Sequence, residues 1–374
     1  MGGEGMHIIR QFGVNWFTTV MGIGIVAALT YTSPIHLPFQ HAVGEILFIG
    51  VNVVFVFAFA MWILRWLLTP DAAIDDFRHP GRALFYGAFA MGINVVGNDY
   101  FLIGTHMMPK HTAIAISFAI WLAGVAASVF SVIVVPYLLF TEHKVERDET
   151  VASWLIPLVP PIVAAATGTN LIPYAGGPGA QFSMTAGIVA LFGMTFFLFI
   201  MTSALVYSRL VFHRRLSGQE APTLWIEIGP IGMAMGTFCG IPLNAPHVFG
   251  PYFGGLRDLG AVFSIAMWGV GVWWILLSAL YTFLHLTPKG DGLPFHLGWW
   301  SYVFPIGSFT NGTYALHRLL GHPFFAVAGL VQLGILWLCF AIVIVRTVHG
   351  VAAGHLIQWR RDHAHRHELK ARRA

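Results

Sequence analysis

The segment Trp299-Trp300-Ser-Tyr-Val-Phe304-Pro305-Ile-Gly307 contains no charged residue, yet proline and glycine interrupt it. A proline inside a helix removes one backbone donor and frees a carbonyl one turn earlier. At membrane depth such irregular backbone is tolerated only where protein buries it or where it lines a watery cavity. The segment therefore predicts an interrupted membrane helix that lies inside the protein.

The rest of the chain repeats this apolar character. Hydrophobic residues make up 57% of the 374 residues and charged residues 10%, whereas soluble domains carry about 25% charged residues. Runs long enough to cross a bilayer fall at about 13–33, 43–68, 82–104, 111–140, 151–173, 181–211, 223–247, 258–286, 299–320 and 323–349. We expect an all-α membrane protein of ten transmembrane helices in one domain, residues 1–349, followed by a basic cytoplasmic tail, residues 350–374.

The distribution of Lys and Arg predicts the orientation of these helices, because cytoplasmic loops hold the excess of positive charge. With both termini in the cytoplasm, 17 of the 20 Lys and Arg lie on the cytoplasmic side or in the tail. Only Lys110, Arg257 and Arg318 fall on the other side. We expect an integral protein of a bacterial inner membrane with cytoplasmic N- and C-termini.

Glycine and proline divide the ten runs into two classes, since they are more than twice as dense in the odd-numbered runs as in the even-numbered ones. The alternation predicts five repeated hairpins in a pseudo-five-fold arrangement, in which a broken inner helix is followed by a smooth outer one. The odd helices would line a central pore. The alternative is tight packing through small residues, a pattern that Gly232, Gly236 and Gly240 satisfy.

The polar residues of the odd runs favour an anion as the permeating species. Ionisable groups are absent from the middle of these runs, whereas neutral side chains such as Asn94, Thr167 and Thr237 recur. Neutral donors and helix dipoles suit a small anion. Taken one at a time, each of these side chains is better explained by a hydrogen bond between helices.

Four segments resemble the tellurite-resistance/dicarboxylate transporter family, which includes fungal malic-acid permeases, fungal sulfite efflux pumps and plant slow-type anion channels. They are Trp16-Phe17-Thr-Thr-Val-Met-Gly22-Ile-Gly24, Trp154-Leu-Ile-Pro157-Leu-Val, Gly229-Pro230-Ile-Gly232 and the opening segment. The resemblance implies transport of C4-dicarboxylates such as malate, sulfite, tellurite or inorganic anions, a homotrimer, and a gate at Phe304. We expect pore-lining or helix-breaking roles for Phe17, Gly22, Gly24, Asn94, Pro157, Pro160, Pro161, Thr167, Gly229, Pro230, Thr237, Pro305 and Gly307.

Two alternatives differ in mechanism. A secondary transporter of C4-dicarboxylates would need a proton-binding group, for which Glu227 is the candidate if its carboxyl is buried. A membrane-embedded redox enzyme would need His ligands within facing helices, but the His residues lie near helix ends, in loops or in the tail. We therefore expect no enzyme activity, cofactor, metal or nucleic acid, and the partners are the anion and the lipid bilayer.

Overall fold

Helices form all the regular structure of the computed structural model, which describes residues 3–354 and 356; no strand occurs among them. We label the main helices α1 to α10. They are Phe17–Tyr31, Gln40–Leu68, Tyr86–Asp99, Lys110–Thr141, Pro160–Gly168, Pro178–Phe212, Ile228–Asn244, Phe253–Leu286, Phe304–Leu320 and Pro323–Ala352. Of the predicted tail, only 350–354 and 356 belong to the described residues.

Shorter segments connect or extend these helices. The short α-helices are Gly3–Gln11, Pro70–Arg78, Pro80–Ala83 and Thr105–Met107, and a π-helical turn, Tyr100–Gly104, follows α3. The 3-10 segments are Val14–Trp16, Arg147–Glu149, Ala152–Leu155, Thr169–Tyr174, Ala221–Glu227, Gly250–Tyr252 and Leu297–Tyr302.

Among the described residues, seven helices are long and apolar enough to cross a membrane. They are α2, α4, α6, α8 and α10, together with α1 and α7 when their preceding 3-10 segments are included. The remaining predicted runs contain α3, α5 and α9, with 14, 9 and 17 residues. The all-helical class is confirmed, and the count of ten membrane crossings stays a prediction.

Burial separates two classes of helix. The spans that contain α1 and α7 are 89% buried, whereas the spans in α2, α4, α6, α8 and α10 are 22–33% buried. The latter present large apolar side chains outward, among them Val53, Phe140, Leu280 and Val345. An exposed apolar surface of this extent needs a non-aqueous environment, which the hydrocarbon of a bilayer supplies.

The buried helices contact one another in a closed ring. Each of α1, α3, α5 and α7 packs against the next odd-numbered helix, and α9 packs against α1. Each also packs against the outer helix that follows it in the chain. The α7–α9 contact is the closest, since a Cβ at Gly232 would lie 2.3 Å from the Ser308 carbonyl oxygen.

The prolines start helices in the interior. Pro160 and Pro161 occupy the first turn of α5, and Pro305 the first turn of α9, where the missing N–H of proline is not needed. The break before α5 is repaired from α6. Thr195 donates its hydroxyl to the Leu158 carbonyl oxygen at 2.7 Å and accepts from the Ile162 N–H at 3.2 Å.

We predict that Thr195→Val destabilises the protein by about 1–3 kcal/mol, because it leaves buried backbone groups of the α5 break without partners. Thermal unfolding in detergent measures the loss. Thr185→Val is the matched control on α6, since the Thr185 hydroxyl bonds only within its own helix, to Gln181. Equal melting temperatures for the two variants would contradict the bridging role of Thr195.

Candidate functional site

A cavity of about 380 Å³ lies between the C-terminal halves of the five buried helices. We call it the polar cavity, because amide, hydroxyl and charged side chains make up much of its wall. These side chains are Thr32, Asn98, Asp99, Thr167, Thr169, Asn170, Asn244, Asn311 and Arg318.

A smaller cavity of about 100 Å³, the narrow cavity, lies between the N-terminal parts of the same helices and the segments that precede them. Phe304 and Pro305 of α9 and Gly229 and Pro230 of α7 border it. Met21 of α1 and Met91 of α3 contribute apolar surface. Further lining residues are Thr18, Phe85, Ser153, Ile156, Val159, Thr223, Ile226, His296, Gly298 and Ser301.

The two cavities are separated by about one helical turn. On α1, Met21 borders the narrow cavity and Ile25 the polar one; on α3, the corresponding residues are Met91 and Val95. Four positions along a helix span about 6 Å. This turn of helix forms an apolar layer between the cavities, because the four side chains that bound it are apolar. Phe304 lies beside the layer and is only 2% exposed.

Arg318 is the basic side chain in the wall of the polar cavity. Its side chain is exposed, and it takes part in no hydrogen bond or ion pair with a described residue. It shares one face of α9 with Asn311 and Ala315, which also border the cavity, because residues seven and three positions earlier lie on the same helix side. Arg318 also lies in the last turn of α9, where the helix dipole favours a cation.

Asp99 is the acidic side chain in the same wall. It ends α3, is 0% exposed, and neither of its carboxyl oxygens has a hydrogen-bond partner in the described part of the chain. Gly24 of α1 makes room for it, since a Cβ there would lie 2.8 Å from Asp99 Oδ2. The π-helical turn that follows continues the helix, and such turns are frequent at functional sites.

The amides of the polar cavity join its helices. Asn170, after α5, donates to the Asn98 side-chain oxygen at 3.0 Å, which links α5 to α3. Asn311 of α9 faces Gly236 of α7, where an added Cβ would lie 3.1 Å from its amide nitrogen. Their amide N–H groups are donors suited to an anion.

Five of the sequence-predicted residues border a cavity. Phe304, Pro305, Gly229 and Pro230 border the narrow cavity, and Thr167 borders the polar one. The hydroxyl of Thr167 donates to the Val163 carbonyl oxygen at 2.9 Å. Their roles in transport stay predictions.

The other predicted residues lie in contacts between helices. Gly22 accommodates the Trp300 ring, and Gly307 accommodates Ile25. Asn94 donates to the Ser128 hydroxyl on α4 at 3.0 Å. Five more are buried: Phe17 packs against Phe89, the Pro157 carbonyl accepts from Ser131, Thr237 donates to the Met233 carbonyl of its own helix, and Pro160 and Pro161 start α5.

Glu227, the predicted proton-coupling residue, is 0% exposed at the start of α7. Ser203 of α6 donates its hydroxyl to Glu227 Oε2, and Oε1 has no partner among the described residues. Glu227 lines neither the polar nor the narrow cavity. The geometry therefore directs one carboxyl oxygen toward an outer helix.

Two arginines that precede α3 in the chain, Arg65 at the end of α2 and Arg82, are paired with carboxylates. Arg82 pairs with Asp75 at 2.5 Å, and Arg65 pairs with Asp76 at 2.8 Å. Burial lowers the pKa of His79, and the nearby Arg82 lowers it further, so His79 is neutral at pH 7. These pairs indicate an anchoring role for the two arginines more than attraction of anions.

Sequence reasoning missed Asp99 and Arg318 as site residues. In the sequence, Asp99 lies near the end of a predicted helix. Arg318 is one of the three Lys and Arg residues outside the cytoplasmic set. One signal was available, because Asn311 and Arg318 are seven positions apart and share a helix face. For Asp99 the pattern gives no comparable signal, since its burial depends on the close contact with Gly24 of α1.

Comparisons with known proteins agree with the resemblance. Residues 11–348 match the family described as voltage-dependent anion channel. The chain is 28% identical to an uncharacterised transporter of Methanocaldococcus jannaschii, over 94% of this chain and 97% of the relative. It is 29% identical to a sulfite efflux pump of Trichophyton rubrum over 86% of each chain. It is 21% identical to a malic acid transport protein of Schizosaccharomyces pombe, over 90% of this chain and 78% of the relative.

We predict that Arg318→Cys makes a thiol that a charged, water-soluble methanethiosulfonate modifies, because residue 318 is exposed to the polar cavity. Thr310→Cys on the same helix is the control, since Thr310 is 0% exposed and borders neither cavity. Both variants carry Cys339→Ser to remove a half-buried native thiol. Mass spectrometry counts the adducts, and an unreactive thiol at 318 would show that water does not reach this wall.

Proposed function

Because the chain belongs to the voltage-dependent anion channel family, we propose that it carries small anions across a membrane along a path through the polar and narrow cavities. The observation that carries the proposal is Arg318. Its guanidinium is exposed in a cavity between all five buried helices and has no partner among the described residues. A cation in the wall of a cavity that forms no ion pair attracts anions.

The proposed architecture is ten membrane helices in five hairpins with pseudo-five-fold symmetry, whose odd helices line the path. The closed ring of contacts among α1, α3, α5, α7 and α9 supports it, as does the packing of each on the following outer helix. The two cavities support it further, since the same five helices and their adjoining segments border both.

We place the gate at Phe304. This ring is 2% exposed beside the apolar layer between the cavities. A hydrophobic constriction blocks ions because an anion cannot exchange its hydration shell for apolar contacts, so the path closes by dewetting. Pro305 fixes the backbone at this point and holds the ring at the start of α9.

The proposed substrates are sulfite and C4-dicarboxylates such as malate, after the names of the relatives, with tellurite and inorganic anions as further candidates. A cavity of about 380 Å³ falls within the range of small-molecule sites, roughly 300–1,000 Å³. We also propose that the protein works as a homotrimer in a bacterial inner membrane, with both termini in the cytoplasm.

The second candidate is a proton-coupled secondary transporter of C4-dicarboxylates that uses Glu227. The burial of this carboxyl, with one oxygen unpartnered in the described part of the chain, is the observation in its favour. Its position outside both cavity walls is against it. Saturable uptake that requires a pH gradient and is lost in Glu227→Gln would favour coupling over a passive path.

We predict that Phe304→Ala raises anion flux in proteoliposomes about tenfold or more, since lowering a barrier by about 1.4 kcal/mol increases a rate tenfold. Phe309→Ala is the matched control. Phe309 is also buried on α9, but it packs against Gly271 and Trp268 of α8. Flux that is unchanged in Phe304→Ala, or that rises equally in both variants, would contradict the gate.

We predict that Arg318→Gln weakens apparent anion affinity about 10- to 100-fold, because a hydrogen bond to a charged group contributes about 1.5–3 kcal/mol. The concentration dependence of flux measures the change. Arg257→Gln is the control, since the Arg257 guanidinium donates to the Leu319 carbonyl oxygen and lies outside the cavity walls. An affinity that stays the same in Arg318→Gln would remove Arg318 from the path.

A further inference from the structure

The polar cavity contains two side chains of opposite charge that form no ion pair with each other. Asp99 and Arg318 both border it, yet no described residue pairs with either of them. The Asp99 carboxyl is buried, and a buried polar group without a partner requires an explanation; the Arg318 guanidinium is exposed and open to a ligand. A ligand between the two side chains would satisfy both.

We propose that Arg318 and Asp99 form a two-point binding site for the oxyanion of a weak acid, bound together with one proton. This inference rests on the proposed function and names its substrate class. The guanidinium donates hydrogen bonds to the charged oxygens of the anion, a strong and often bidentate contact. The proton lies between Asp99 and another oxygen of the anion, so that one of the two acid groups donates an O–H bond and the other accepts it.

The site discriminates by chemistry. A singly protonated oxyanion brings the shared proton with it and meets Asp99 as a carboxylate. A halide brings no proton, so it binds without repulsion only when Asp99 is protonated. When Asp99 is ionised, the halide meets a second negative charge in a wall of low dielectric, where repulsion is strong. Weak-acid oxyanions are therefore favoured over halides, and the preference grows as the pH rises.

The two groups lie on the two helices that flank α1 in the ring. Asp99 lies at the α1–α3 contact, in the space that Gly24 leaves open. Arg318 lies on α9, which packs against α1 on its other side. Asn98, next to Asp99, accepts from Asn170 through its amide oxygen, whereas the two carboxyl oxygens of Asp99 have no hydrogen-bond partner in the described part of the chain.

The other ionisable groups near α3 lie outside the cavity wall. From α1, Gly24 meets Asp99; from α4, Ser117 donates to the carbonyl oxygen of Gly97, two residues before Asp99. Arg318 is the charged partner across the cavity. Other ionisable side chains lie on the elements near α3 or on the π-helical turn that follows it, and none of them borders the cavity. They are Tyr31, His41, Glu45, Arg65, Tyr100, His106, Lys110, His111, Tyr137 and Tyr174.

The test is anion binding to the purified full chain in detergent between pH 5 and pH 8, by calorimetry, with sulfite and chloride as the probes. In the wild type, chloride affinity should fall by up to tenfold per pH unit as Asp99 loses its proton, since one bound proton is linked to binding. The ratio of sulfite to chloride affinity should rise with pH as long as the sulfite in solution carries its one proton, and level off once sulfite is a dianion.

Asp99→Asn should make chloride affinity independent of pH and reduce the preference for sulfite at pH 7, where much of the sulfite still carries its proton, about tenfold or more. Arg318→Gln should weaken both anions. Glu45→Gln is the matched control, since it alters a half-buried carboxyl on α2 that borders neither cavity, and it should behave as the wild type. The wild-type chloride profile tests the inference by itself if Asp99→Asn does not fold.

A wild-type chloride affinity that does not change with pH, or an Asp99→Asn protein with the wild-type pH profile, overturns the inference. These results leave the proposed function intact if wild-type proteoliposomes still conduct anions. Absence of anion flux in wild-type proteoliposomes overturns the proposed function, whereas the predicted binding profiles would then identify an anion site without transport.

Discussion

The constraint on which the structure depends is that backbone groups freed by a helix break cannot remain exposed to lipid. The prolines and glycines of α5, α7 and α9 make such breaks, so these helices must lie inside the protein. The Thr195 hydroxyl shows the repair at the level of atoms, because it bonds to both sides of the break before α5. Outer helices with exposed apolar side chains then separate the interrupted helices from lipid.

This arrangement also explains why the interior contains polar cavities. Glycines allow close contact at some points of the ring, as Gly232 does against Ser308, while the helix termini and their neighbouring segments diverge at others. Amides, hydroxyls and the charged groups Asp99 and Arg318 collect in one of the resulting spaces. One helical turn of apolar side chains separates it from the second space, and Phe304 lies at that boundary.

Much of this organisation could be predicted from the sequence. The density of glycine and proline identified the buried helices, since α1 and α7 are largely buried and the even-numbered helices are not. The contacts of individual side chains were harder to predict, because they depend on which neighbouring helix each side chain faces. Asn94 bonds to Ser128 on an outer helix, and Gly22 packs against Trp300. Asp99 and Arg318 required the structure, because their place in the wall of one cavity depends on how α1, α3 and α9 pack together.

The most direct test of the central claim, that the ring of buried helices encloses an anion path, is the reversal potential of the reconstituted wild-type protein. A planar bilayer would separate solutions of one sulfite salt at a tenfold concentration ratio. The account predicts a current above that of protein-free membranes which reverses near the Nernst potential of the anion. Reversal at the Nernst potential of the cation, or no current above the protein-free background, would contradict it.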